Sequence, residues 1–149
     1  MKAQKLIIGI GNRFRGDDAL GCLLADALRA RVPQDVEVIE HNGEPASLID
    51  CWQERQSVIL IDAVSSGAEA GTIHAIDLQA RGLPEQFRSF STHAFGIAEA
   101  VELARVLNKL PARIGFYGIE GSCFSAATEL SPVLQSAARI LQQRILDDL

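Results

Sequence analysis

A few residues stand out because their surroundings demand a chemical reason. Asp62 directly follows Val58-Ile59-Leu60-Ile61. A charge placed straight after four aliphatics is costly unless it is paired, hydrogen-bonded or bound to a metal. The blander role for it is capping a neighbouring loop. Asp17-Asp18 closes a glycine-containing loop after another aliphatic run. Asp17 is placed to cap the helix that follows, satisfying free N–H groups at the positive end of the dipole. Asp18 cannot cap the same turn as well and is free to face a cleft. His93 stands just before an apolar-periodic stretch that starts at Ala94. A helix N-terminus disfavours the imidazolium, which keeps a lone pair available to a metal or a proton. His41 and His74 lack that setting. His41 ends a strand and is a lesser candidate, and His74 falls mid-strand at an exposed position.

Asp18, Asp62 and His93 together make an O, O, N donor set on separate segments. Three protein ligands with open positions suit a catalytic or substrate-bridging transition metal rather than a closed structural site. Zinc, nickel, manganese and iron all satisfy that chemistry. The chain has no HExxH and no G-x-S-x-G. Gly9-x-Gly11 after a strand resembles the start of a dinucleotide fingerprint, but Phe14 occupies the place of the third glycine. A tight strand-to-loop turn explains the two glycines equally well.

The elements that must position these groups alternate along the chain. Leu6–Ile10 is a short apolar run ended by Gly11-Asn12, the pattern of a buried strand. Asp17–Arg31 carries Leu20, Leu23, Leu24, Ala27 and Leu28 at helical spacing, with Asp17 as N-cap. Val36–Ile39 is a second strand, Pro45–Glu54 a short helix, and Ser57–Ala63 a buried strand. Gly71–Leu78 alternates in polarity and follows with no helix-length crossover, which predicts an antiparallel edge strand. Ala94–Leu107 is a helix with Ile97, Val101, Ala104 and Leu107 on its core face. Arg113–Ile119 is another strand, and Ser131–Leu146 a closing helix with Pro132 in its first turn. The alternation predicts a three-layer α/β/α sandwich around a mostly parallel sheet of about five strands. Ligands in such sheets sit beyond the strands' carboxyl ends, where the strand order reverses.

Composition narrows the setting. The 149 residues fit one domain spanning 1–149. Folding at that size buries about 68–70% of the chain's surface, so no staples are needed. Net charge is −5 and the basic residues are scattered, which argues against nucleic acid and anionic membranes. Cys22, Cys51 and Cys123 form no CxxC pair and read as buried free thiols of a reducing compartment. The N-terminal apolar run is too short for a secretory signal, and no stretch approaches the roughly 20 apolar residues of a membrane helix. The expected location is the cytoplasm.

Several segments resemble one family in order. Gly9-Ile-Gly-Asn-Arg-Phe-Arg-Gly-Asp-Asp-Ala-Leu-Gly21 is similar to the opening motif of the hydrogenase maturation proteases, strand-G-x-G-N-x-x-x-x-D-[DE]-x-x-G. Val58-Ile-Leu-Ile-Asp-Ala63 resembles their central strand with its terminal Asp, and Ser91-Thr-His-Ala-Phe-Gly96 their S-x-H-x-x-G segment. Pro111–Ile119 resembles their last strand, and Leu130-Ser-Pro132 the start of their last helix. The resemblance implies the same sandwich fold. It implies an endopeptidase that removes the C-terminal extension of a nickel–iron hydrogenase large-subunit precursor after nickel insertion. It carries the metal-contacting and catalytic roles onto Asp18, Asp62 and His93. Nickel would arrive with the precursor, with zinc or cadmium able to substitute, and neither nucleic acid nor membrane would be a partner. Two departures stand out. Glu40-His-Asn-Gly-Glu-Pro45 replaces the GGT-like turn of many members, and Asp18 replaces the Glu of some. The competing readings are a non-catalytic nickel or precursor chaperone on this fold and a nucleotide-binding α/β domain.

Overall fold

Aliphatic runs rich in Ile and Val become strands because branched side chains pack well on a pleated surface. In the computed structural model, which describes residues 2–87, 92–124 and 129–149, they form five strands. Ser91 of the Ser91–Gly96 segment lies outside the described residues. The elements are β1 (Lys5–Ile10), α1 (Leu20–Arg29), β2 (Val36–His41), α2 (Pro45–Trp52), β3 (Ser57–Val64), β4 (Ile73–Asp77), α3 (Thr92–Val106), β5 (Arg113–Glu120) and α4 (Pro132–Asp148). Short 3₁₀ turns cover Gly16–Ala19 and Glu85–Phe87.

The strand order is β2-β1-β3-β5-β4. The first four are parallel, and β4 runs antiparallel to β5 at the edge, as its alternation predicts. The order reverses between β1 and β3, which opens a crevice at their carboxyl ends. Strand period sorts the core into two layers. Leu6, Ile8, Ile10, Val58, Leu60 and Val64 pack with Leu48 and Trp52 of α2 and with Ile97, Val101 and Ala104 of α3. Ile7, Ile61, Ala63 and Ile119 pack with Leu20, Leu24 and Leu28 of α1 and with Leu134, Leu141 and Ile145 of α4. Asp62 shares its parity with Val58, Leu60 and Val64, so the same alternation turns it toward the α2–α3 layer.

The structure revises several expectations. Residues 17–19 belong to a 3₁₀ turn, and α1 begins only at Leu20. Asp17 makes no cap bond; its side chain is taken by distant partners. Leu23 and Leu107 are exposed rather than core, because the packed stripes run through Leu20, Leu24 and Leu28 and through Ile97, Val101 and Ala104. The Asp62 strand ends at Val64, one residue past the expected Ala63, and Asp62 lies inside it opposite Gly118. Helix α3 starts at Thr92, which puts His93 inside its first turn. His74 is half-buried: its Nε2 lies 3.2 Å from Oε1 of the buried Glu120 at the end of β5. Of the cysteines, none of them disulfide-bonded, only Cys22 is buried; Cys51 is half-buried and Cys123 exposed. No helix among the described residues is long and apolar enough to cross a membrane.

Candidate metal centre

Three segments meet at the switch point. The β1–α1 loop brings Asp18, β3 brings Asp62, and the first turn of α3 brings His93. One donor atom from each lies within 4.8 Å of the others. Two donors on a single ion at about 2.1 Å each stand at most about 4.2 Å apart, so the set is close to a coordinating arrangement. Asp62 is fully buried, and neither of its oxygens has a hydrogen-bond partner among the described residues. Native interiors rarely leave a buried carboxyl in that state. His93 Nδ1 stands 3.3 Å from Asp18 Oδ1 but is not aligned to bond with it. An orphaned carboxyl beside a second carboxyl and an imidazole fits a divalent cation as the missing partner.

The electrostatics agree. Burial, followed by the nearby Asp18 charge, pushes the Asp62 carboxyl well above the ordinary range, and His93 only partly offsets this. The His93 imidazole is raised chiefly by Asp18 and further by Asp62, against a lowering from burial. Both shifts favour the protonated forms, with which a cation at the site would compete.

Asp18 is positioned by its own backbone. Its carbonyl accepts the Asn12 N–H at 3.0 Å, and its N–H donates to Arg15 O at 3.0 Å. A Cβ on Gly11 would lie 2.2 Å from that same carbonyl, and one on Gly9 would lie 2.1 Å from Gly21 O. The glycines thus let α1 and the loop close onto β1. Asp17, expected as a cap, instead ties the turn to the far end of the chain. Its carboxylate accepts N–H bonds from Ser122, Cys123 and Ser131 at 2.8–2.9 Å and hydroxyl bonds from Ser122 and Ser131 at 3.2 and 3.1 Å. Arg13 braces the loop's outer side by a two-pronged bond to Asp26 on α1 and a contact with Glu40 on β2.

His93 is positioned by two glycines. Gly43, in the turn after β2, has φ +89°, and a Cβ there would lie 3.2 Å from His93 Cα. On α3, a Cβ on Gly96 would lie 2.1 Å from Gly43 O. Spacing hinted at Gly96, which ends the Ser91–Gly96 segment; it did not show that Gly43 was the partner. Gly96→Ala is expected to cost about 1–3 kcal/mol, because backbone rather than a flexible side chain must yield. A urea midpoint unchanged from wild type would contradict that close approach. The cleft lined by Ser57, Arg113 and Tyr117 lies at the other end of β3 and β5 and includes none of the three donors.

Comparison with known proteins gives the family. The sequence profile of the hydrogenase maturation proteases matches residues 22–148, a stretch that contains Asp62 and His93. The chain is 24% identical to the hydrogenase 2 maturation protease of Escherichia coli over 145 residues, covering 95% of this chain and 87% of that one. It is 33% identical to a putative hydrogenase maturation protease of Methanocaldococcus jannaschii over 113 residues, 72% and 70% of the two chains. Among solved structures, the hydrogenase maturating endopeptidase HybD of E. coli superposes with a TM-score of 0.84 at 21% identity, over 98% of this chain and 91% of that one. The nickel–iron hydrogenase maturation protease HycI of Thermococcus kodakarensis gives a TM-score of 0.76 at 26% identity, over 97% and 91%. With the fold, the ordered motifs and the profile in agreement, the chain belongs to the hydrogenase maturation protease family.

Proposed function

We propose that this protein is a nickel-recognising endopeptidase that removes the C-terminal extension of a nickel–iron hydrogenase large-subunit precursor once nickel has been inserted. The observation that carries this reading is the buried Asp62 carboxyl, with no hydrogen-bond partner for its oxygens among the described residues, beside Asp18 and His93. A family protease needs a means of telling a loaded precursor from an empty one. Three donors converging on one point supply that means.

Nickel belongs to the substrate in this scheme. Precursor ligands hold one side of the ion, and Asp18, Asp62 and His93 take its open side. Docking through the ion sets the register of the tail, so proximity contributes much of the rate. An ion at this site also polarises a nearby carbonyl or water. The protein's own share is to keep three donors facing one point and to hold Asp62 away from bulk water.

The test is a mass-spectrometric assay on the cognate precursor, loaded with nickel in one tube and nickel-free in the other. Loss of a short C-terminal peptide only with nickel is the expected result. Cleavage in both tubes would remove nickel recognition from the reading. An intact precursor in both, with complex formation still detectable, would favour a chaperone instead.

A further inference from the structure

The turn where this chain departs from the GGT-like pattern contains His41, which none of the chemistry above uses. Its ring accepts the Gly43 N–H at Nδ1, 2.9 Å away, and meets Ser47 Oγ at Nε2, also 2.9 Å away. Acceptance at Nδ1 fixes the neutral tautomer with the proton on Nε2, which then donates to Ser47 at the start of α2. Burial lowers the imidazole's proton affinity, against a smaller opposing effect from Glu44, which favours that neutral form. The backbone carbonyl of His41 accepts the Gly11 N–H at 3.3 Å. Gly11 packs on the carbonyl of Asp18, and Gly43 packs on the backbone of His93. His41 is therefore bonded to the loop that carries Asp18 and to the 42–43 turn that packs on His93.

We propose that His41 is a positioning residue of the metal centre, its ring buckling the 42–43 turn against His93 while its carbonyl holds the Gly11 loop that seats Asp18. The metal side of this inference rests on the reading of Asp18, Asp62 and His93 as metal donors. The ring-to-backbone bond spans two residues, as in a turn closed by an Asn side chain. Asn at 41 can place its carbonyl oxygen where Nδ1 stands. Gln, one methylene longer, cannot close that ring.

The test compares wild type, His41→Asn and His41→Gln as full-length chains. Zinc and nickel dissociation constants are read by calorimetry, and the His93 ring signals by NMR without metal. Supporting residues behind metal ligands typically change affinity by 10–100-fold. His41→Gln is expected to weaken binding about tenfold and to move the His93 signals, whereas His41→Asn keeps both near wild type. His93 signals unmoved in both variants, or moved equally in both, would overturn the proposal. If wild type binds neither ion, the donor assignment fails, and the ring signals alone decide the role of His41. If His41→Gln does not fold, Ser47→Ala takes its place. It removes the Nε2 partner and should move the same His93 signals; unmoved signals would overturn the proposal there too.

Discussion

Asp62→Asn is expected to reduce precursor processing at least about 10³-fold while leaving the fold in place. The substitution keeps the shape and removes the charge. Loss of one anionic donor forfeits several kcal/mol of interaction with the ion, and about 4 kcal/mol corresponds to a thousandfold in rate. Among the described residues neither Asp62 oxygen has a hydrogen-bond partner to forfeit, apart from the small pull of the Ala63 N–H, which an amide oxygen also accepts. The metal-free variant should melt no more than about 4 °C below wild type. The pH dependence has a definite sign. A carboxyl whose folded pKa is raised by burial penalises folding above its unfolded value of about 3.9. Relative to wild type, Asp62→Asn therefore gains stability as pH rises above about 4, levelling off beyond the raised folded value. Full processing by this variant would sink the metal-centre assignment. His93→Ala should likewise abolish nickel-dependent processing.

Asp17→Ala is expected to be strongly destabilising, although Asp17 is not among the candidate metal donors. Its buried carboxylate accepts five hydrogen bonds from Ser122, Cys123 and Ser131. Removing it deprives three backbone N–H groups of their acceptor, and breaking a buried charged network costs about 3–5 kcal/mol. At about 2–4 °C per kcal/mol for a chain of this size, the melting temperature should fall by about 6–20 °C. A loss below about 1 kcal/mol would show that the network contributes little. Burial alone would raise this carboxyl, but the bonds from Ser131, Ser122 and Cys123 outweigh it, and the net shift is downward. Its stabilisation is thus fully present above the unfolded pKa and is lost as pH falls from about 4 through the depressed folded value. Asp17→Asn should accordingly lag wild type by a constant margin above about pH 5, and that margin should shrink in acid.

These two aspartates, 45 positions apart in the sequence, show how unevenly structure is written there. Asp62 was legible because its conflict is local: a carboxylate among consecutive aliphatics needs a reason whatever the fold. Asp17 was misread for the same cause. An acidic residue before an apolar-periodic stretch matches a helix cap, and nothing near it in sequence announces partners 105 to 114 positions away. Strand alternation alone puts His74 at an exposed position, because it says nothing about Glu120 arriving on the neighbouring strand. His41 was ranked low because its bonds are to a turn, and a turn's packing against a helix start is not periodic.

By itself, the sequence determined the alternating strands and helices, the antiparallel edge and the family, and it singled out the three candidate donors. Each rests on side-chain type and spacing within one segment, or on motifs in order. Tertiary structure alone decided that Asp62 faces the α2–α3 layer beside His93, that Asp17 anchors rather than caps, and that Gly43 and Gly96 permit the contact seating His93. Those are distances between backbones from remote segments. They exist only once the crossover helices have folded against the sheet and brought the strand ends together.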